Sequence, residues 1–278
     1  MQANRYRAIH DYAIVGDCHS CALVSSDGSI DWACFPRFDS ASVFARLLDA
    51  RRGGHFRVSA AVKSKAERRY LEATNVLRTT FRNEDGELAI TDFMPTHGPD
   101  GERTANMLVR IVECTRGRAG AVVEFEPRFA YGKGRARVTR SRAGISARGE
   151  GGALALEADF ELAVEPGRAA GTVELAEGEK RYLVLRFAED KARFARWDAK
   201  AVEAALEATC RYWRDWAGKC TYRGPHREEV LRSALVLKLM IHEPTGGVIA
   251  APTASLPEEI GGVRNWDYRY VWLRDAAY

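Results

Sequence analysis

The stretch "ALVSSDGSIDWACF", Ala22–Phe35, decides the fold. Two short runs rich in apolar and β-branched side chains flank the dipeptide Asp27-Gly28. Glycine reaches the positive φ that tight hairpin turns demand, so the pattern predicts two antiparallel strands. The same design recurs downstream. "NVLRTTFRNEDGELAITDF" (Asn75–Phe93) turns at Asp85-Gly86. "MLVRIVECTRGRAGAVVEFEPRF" (Met107–Phe129) predicts a further pair, with Gly117 and Gly120 in its loop. "GTVELAEGEKRYLVLRFAED" (Gly171–Asp190) predicts another around Gly178. Many antiparallel strands with regular turns argue for a mainly β domain, an antiparallel β-sandwich over residues 1–195. One short helix is expected inside it, "SASVFARLLDA" (Ser40–Ala50), opened by Asp39 or Ser40 as N-cap. Asp17, Asp31 and Asp39 read as turn and cap residues.

The periodicity changes near Trp197. "DAKAVEAALEATCRYWRDWAGK" (Asp198–Lys219) places Val202, Leu206, Thr209, Trp213 and Trp216 on one helical face. Asp198 caps its start and Gly218 marks its stop. Residues 196–222 therefore read as a helical linker. "PHREEVLRSALVLKLMIH" (Pro225–His242) is the next helix, with Pro225 near its first turn. Its second half is apolar nearly all round, which predicts deep burial. Pro244 and Gly246-Gly247 end it. The remaining tail starts as loop and ends looking helical. A lone apolar helix cannot bury its own faces. Its partners must come from the β domain, another chain or further residues.

Composition narrows the function classes. Hydrophobic residues make up 46% and charged residues 29% of the 278, the balance of an ordinary globular chain. The 42 basic residues nearly offset the 38 acidic ones. The densest basic run, "YGKGRARVTRSRAGISARG" (Tyr131–Gly149), alternates like a strand with arginines on one side. It reads as a solvated hairpin, so no nucleic-acid partner is expected. No apolar run is long enough to span a bilayer, and the first twenty residues lack the apolar stretch of a signal peptide. A cytoplasmic protein with no membrane partner is the expectation. The six cysteines then read as free thiols. "CHSC" has CxxC spacing around His19, but no second CxxC completes a zinc site. In a strand-like run Cys18 and Cys21 would face opposite sides, so no metal is expected.

The closing stretch carries the functional reading. "SLPEEIGGVRNWDYRYVWLRDA" (Ser255–Ala276) gathers aromatics, arginines and aspartates. It resembles the entry to the catalytic domain of glycoside hydrolase family 15, which holds glucoamylases, glucodextranases and bacterial trehalases. "YAIVGDCHSCALVSSDGSIDWACFPRFDSASVFARLLD" (Tyr12–Asp49) resembles the β domain preceding it in prokaryotic members. The resemblance spans essentially the whole chain and less than half of a full family member. It implies that residues 223–278 begin an (α/α)6 barrel left incomplete here. A truncated chain, a frameshifted gene product or one half of a split enzyme would all read this way. In the last case the partner is a polypeptide supplying the rest of the barrel.

The resemblance also implies the chemistry. Family members hydrolyse an α-glucosidic bond with inversion, using two glutamates. One acid protonates the leaving oxygen and the other carboxylate activates a water, which needs carboxyls roughly 6.5–9.5 Å apart. Those glutamates lie on later barrel helices, so no catalytic residue carries over and the chain alone should be inactive. Arg274 and Asp275 match the pair that grips the hydroxyls of the non-reducing-end glucose. Tyr268 and Trp272 match aromatics lining that pocket. Chemically this fits, since a carboxylate accepts from vicinal hydroxyls and a guanidinium donates in a fixed fork. From composition alone, a surface Arg274–Asp275 ion pair with core aromatics is the alternative. Adjacent Glu258 and Glu259 cannot flank one sugar at the required separation, and read as residues of the substrate loop. The implied ligand is an α-glucan oligosaccharide or a trehalose-like sugar, with no cofactor or metal. A non-catalytic module that binds carbohydrate or docks a partner is the competing reading.

Overall fold

The computed structural model describes residues 6–141, 144–188, 196–254, 259 and 261–276, with residues 275 and 276 described by backbone alone. Its β domain runs from β1 (Tyr12–Gly16), β2 (Cys21–Ser25), β3 (Ser29–Cys34), β4 (Ser42–Phe44) and β5 (His55–Ala60) to β6 (Lys65–Tyr70), β7 (Leu77–Arg82), β8 (Gly86–Phe93) and β9 (Met107–Glu126). A single turn, α1 (Phe129–Gly132), leads to β10 (Arg137–Ser141), β11 (Gly144–Gly149), β12 (Gly152–Ala158), β13 (Ala163–Glu165), β14 (Arg168–Ala176) and β15 (Lys180–Ala188). These strands join one antiparallel network. The mainly β, antiparallel domain is as the turn signals predict. The hairpins at Asp27-Gly28 and Asp85-Gly86 join β2 to β3 and β7 to β8. The strand pair expected around Gly178 is corrected: β14 and β15 do not pair with each other but run on, one after the other, along β9.

The 20-residue β9 organises the network. Its first half pairs with β8 and β15, and its second half with β5 and β14. The expected hairpin loop at Gly117 and Gly120 is therefore corrected: the chain runs straight through. Gly117 takes φ 67° and the β8–β9 register shifts beside it, so the glycine bends one strand rather than reversing it. A Cβ at Gly117 would stand 2.3 Å from the Asp85 carbonyl oxygen. The bend lets two arms of sheet share a single apolar core, with Val24, Ile30, Phe56 and Phe125 from one and Leu88, Ile90, Leu154 and Leu185 from the other. Inside that core Arg110 of β9 is fully buried and forks Asp92.

Two expectations in the N-terminal segment fail. Ser40–Ala50 is not a helix. Val43, Phe44 and Ala45 are all buried, and Phe44 pairs with Ala33 in β3. Filling the core with consecutive side chains suits an extended segment and outweighs the helical spacing. Cys18 and Cys21 do not lie along one strand. Asp17 accepts the amides of His19 (2.9 Å) and Ser20 (2.8 Å), closing a turn in which Cys18 takes φ 66°. Both thiols are free and enter the same apolar cluster. Asp17 is thus the turn residue it was read as, whereas Asp31 sits within β3, accepting from Tyr12 Oη at 2.9 Å and Ser29 Oγ at 2.5 Å. The basic run forms the β10–β11 hairpin with Arg137, Arg140 and Arg148 exposed.

The helices lie against this domain. α2 (Ala199–Ala217) is capped by Asp198, whose carboxylate accepts the Ala201 amide at 2.8 Å. It buries Val202 and Cys210 against Val109, Ile111 and Val184, and Trp213 against Leu235 and Leu239 of α3 (Arg227–Leu239). The linker helix is thus part of the domain's packing. Pro225 precedes the N-cap of α3, His226, which takes φ 61°. Gly16 admits α3 closely: a Cβ there would lie 2.7 Å from a Leu239 methyl. The all-round burial expected of α3 is not found. Leu235 and Leu239 are buried, while Leu237 is 56% and Val230 39% exposed. The β domain offers α3 only one side. A small hairpin, β16 (Ile241–His242) and β17 (Gly247–Val248), follows, and α4 (Leu273–Ala276) closes the described chain. No described helix is long and apolar enough to cross a membrane.

Candidate functional site

The closing stretch is mostly irregular, with an isolated bridge at Asp267 and a bend at Arg269–Tyr270. The Ala250 amide donates to the Tyr270 carbonyl at 3.0 Å, the Ala251 amide donates to the Tyr268 carbonyl at 2.8 Å, and Ala254 bridges Asp267. The Arg269 amide donates to Asp267 Oδ1 at 3.0 Å, a side-chain turn that places Asp267 and Arg269 together on one face. That face meets the β domain. Arg269 is only 7% exposed. Its Nε donates to Asp267 Oδ1 at 3.0 Å and its Nη2 to Asp267 Oδ2 at 2.7 Å. Nη2 also donates to the Tyr131 hydroxyl at 2.9 Å. Nη1 donates to the Ser40 carbonyl at 2.7 Å, with the Phe38 carbonyl and Cys34 Sγ each at 3.4 Å. The guanidinium lies over the rings of Tyr131 and Trp32, at 5.5 and 5.8 Å. Trp32 Nε1 in turn donates to the Pro252 carbonyl at 2.9 Å.

Local backbone explains the receiving side. Ala130 and Tyr131 both adopt left-handed angles, which non-glycine residues rarely do. This tight turn sets the Tyr131 ring 6.4 Å from Trp32. Such strained positions gather where the surroundings fix them.

The other face of the stretch carries the aromatics. Tyr268 and Trp272 meet edge to face, with centroids 5.2 Å apart and planes at 71°. Trp272 Nε1 donates to the Asp267 carbonyl at 3.2 Å, so the corner hangs on the residue that Arg269 forks. Arg274 is exposed on α4, one residue before Asp275, whose side chain lies outside the described residues. Glu259 is exposed and its carbonyl accepts the Gly262 amide at 3.0 Å, while Glu258 lies outside the described residues. Of the residues singled out from sequence, the structure therefore brings Tyr268 and Trp272 into contact. Asp39 lies nearby: with Arg37, His242 and Tyr270 it lines a groove of about 260 Å³ beside Arg269. Arg37 forks Asp39 at 2.9 and 3.1 Å. Larger hollows, about 640 and 510 Å³, run along α3 and include none of Asp267–Trp272.

Electrostatics follow the network. The hydrogen bond from Arg269 holds the Asp267 carboxyl below the usual aspartate range. Burial acts to lower the Arg269 pKa, but bonds to Asp267 and Tyr131 reverse the sign and leave it raised. Burial pushes the Cys34 thiol up to about 12 despite the neighbouring guanidinium. Asp267 and Arg269 are thus a fixed ion pair across pH 7, and Cys34 stays a thiol.

Sequence reasoning missed Arg269, Tyr131 and Trp32. The one available signal is the spacing of Asp267 and Arg269, which meet when the Asp267 side chain closes a turn on the Arg269 amide. The stretch was expected to end helical, which holds from Leu273 onward.

The chain matches known families in two consecutive parts. Residues 1–212 match the family described as trehalase-like, N-terminal, and residues 224–278 match glycosyl hydrolases family 15. A trehalase of Thermoplasma volcanium is 35% identical over 276 residues, 98% of this chain and 44% of its own length. One from Mycolicibacterium smegmatis is 33% identical over 308 residues, 99% of this chain and 44% of its own. Trehalase 1 of Sulfolobus acidocaldarius is 34% identical over 268 residues, 95% and 43% respectively. The chain thus spans a little under half the length of the curated relatives it matches. With the match over residues 1–212 covering most of its length and the glycosidase match following it in order, the chain belongs to the trehalase-like N-terminal family, as the N-terminal part of a glycosyl hydrolase family 15 type of protein.

Proposed function

We propose that this chain is the N-terminal portion of an inverting α-glucosidic hydrolase of trehalase or glucoamylase type. Its closing stretch supplies one wall of the glucose pocket, with Tyr268 and Trp272 presenting ring surface to a pyranose. Arg274 donates to sugar hydroxyls and Asp275 accepts from them. Glu258 and Glu259 belong to the loop feeding that pocket. In this reading residues 1–195 form the β domain, 196–222 the linker, and 223–278 open an (α/α)6 barrel. The observation that carries it is the Tyr268–Trp272 corner, 5.2 Å between centroids, directly ahead of Arg274 in the segment matching family 15. The relatives named trehalase favour a trehalose-like sugar over a longer α-glucan.

The general acid and base are assigned to residues beyond this chain's matched segment. Each such group typically supplies about 10²–10⁴-fold, so the chain alone retains sugar contacts but no turnover. The test is to incubate the purified chain with trehalose and with maltose and assay glucose release. No release above the buffer blank is expected. Enzyme-like release of glucose would overturn the assignment of acid and base elsewhere.

A second reading has one observation in its favour. Val230 and Leu237 of α3 stand exposed, an apolar edge that suits burial against further helices. A separate polypeptide that supplies those helices would make the chain one half of a two-chain glycosidase. Adding that polypeptide in trans would then restore glucose release.

A further inference from the structure

Arg269 is the one buried side chain described in the Tyr268–Trp272 segment, and it ties that segment to the β domain. A guanidinium has five N–H donors. In Arg269 its Nε, Nη1 and Nη2 meet Asp267, the Ser40 and Phe38 carbonyls, Cys34 Sγ and Tyr131 Oη. This set engages all three nitrogens, so Arg269 has no evident donor left for a sugar. Yet it is tied to every part of the corner. It forks Asp267, whose carbonyl holds the Trp272 indole at 3.2 Å. It also lies between Tyr268 and Tyr270, whose carbonyls accept the Ala251 and Ala250 amides. On the receiving side its partners come from β3, the loop after it, and the left-handed turn at Tyr131.

We infer that Arg269 is a positioning residue for the sugar pocket: it fixes the Asp267–Val271 segment on the β domain and so sets the geometry of the Tyr268–Trp272 corner. This rests on the reading of Tyr268 and Trp272 as pocket residues. It assigns the β domain a role in sugar recognition without any contact to the sugar, acting through Tyr131, Ser40 and Phe38. Lysine cannot substitute. Its ammonium is a point donor that cannot fork Asp267 while reaching Ser40 and Tyr131.

The test uses the whole chain and the variants Arg269→Lys and Tyr131→Phe. Two quantities are read for each. The first is hydrogen exchange at the Ala250 and Ala251 amides, relative to the Val109 and Val112 amides in β9. The second is the Kd for trehalose and for glucose, titrated by tryptophan fluorescence. Losing charge-assisted hydrogen bonds predicts about tenfold faster exchange at Ala250 and Ala251 and about tenfold weaker sugar binding in Arg269→Lys. Loss of one hydrogen bond in Tyr131→Phe predicts about threefold in both. β9 exchange should stay unchanged. Faster exchange with an unaltered Kd would overturn the inference, since Arg269 would then be structural only. Equal acceleration in β9 would overturn it too, by showing general destabilisation. A wild-type chain that binds neither sugar refutes the pocket reading instead; unchanged exchange at Ala250 and Ala251 in Arg269→Lys would then refute the anchoring separately.

Discussion

Arg110 and Arg269 are two buried arginines with the same coordination plan and different jobs. Arg110 forks Asp92 at 2.7 and 3.2 Å, donates to the Phe56 and Gly28 carbonyls at 2.7 and 2.6 Å, and lies over the Phe56 ring. Arg269 forks Asp267, donates to the Ser40 carbonyl and lies over Trp32 and Tyr131. The surroundings differ. The Arg110–Asp92 pair has no solvent exposure, and both residues sit in paired strands of the β domain. Asp267 keeps 35% of its side chain exposed, and the partners of Arg269 reach back as far as 235 residues. One arginine locks strands already held by their ladders. The other attaches a segment that has few backbone bonds of its own. Equal geometry therefore carries unequal weight, set by water and by the backbone around it.

The largest effect should come from Arg110→Met. It leaves the Asp92 carboxylate buried without its partner, which costs about 3–5 kcal/mol. Urea unfolding followed by circular dichroism should show one lowered midpoint for the β domain. An unchanged midpoint would mean that the strands do not need the pair. Arg269→Met should cost less, about 1 kcal/mol or somewhat more, because water reaches Asp267 in the variant. Its signature is thermolysin cutting within 261–271 while the β-domain midpoint barely moves. A midpoint shift as large as that of Arg110→Met would erase the contrast.

Acid should act on the Arg269 site as well. The folded pKa of Asp267 lies below its unfolded value, so its stabilising contribution is fully present above about pH 4. It is lost as the pH falls through the folded value. Exchange at Ala250 and Ala251, corrected for intrinsic rates, should stay flat from pH 7 to 5 and rise below about pH 4. A rise already complete at pH 6 would point to a different titrating group. The smallest effect is expected from Asp198→Ala, remote from both arginines. Loss of the α2 cap should cost about 1 kcal/mol at most, read as a small drop in the urea midpoint, with the tail amides unmoved.

The sequence made some of this legible. Asp27-Gly28 and Asp85-Gly86 announce hairpins because a turn is a local event, and Asp198 announces a cap for the same reason. Gly178 does not, since β14 and β15 both run along β9. Gly117 misleads because a positive φ serves a bulge as well as a reversal, and the choice depends on β5 and β14, far off in sequence. Val43–Phe44 misleads because helical spacing and a core-filling strand share residues. α3 reads as apolar all round, but which faces are covered depends on neighbours the pattern does not name. At the candidate site the aromatics and the Arg274–Asp275 pair stand out by composition. Arg269 does not, because its meaning lies in carbonyls of Phe38 and Ser40 and the ring of Tyr131, none of which its neighbours in sequence announce.

The double membership of β9 bears on how this protein can be divided. β5 and β14 alternate in chain order with β8 and β15, so no single cut separates the two pairs, and any excision of one pair strands half of β9 without its partners. Either excision would expose an unpaired edge, which invites aggregation. The two arms are therefore one indivisible module for protein engineering. Grafts and fusions belong at its outer hairpins, and a library that shuffles the arms as separate cassettes should yield insoluble chains.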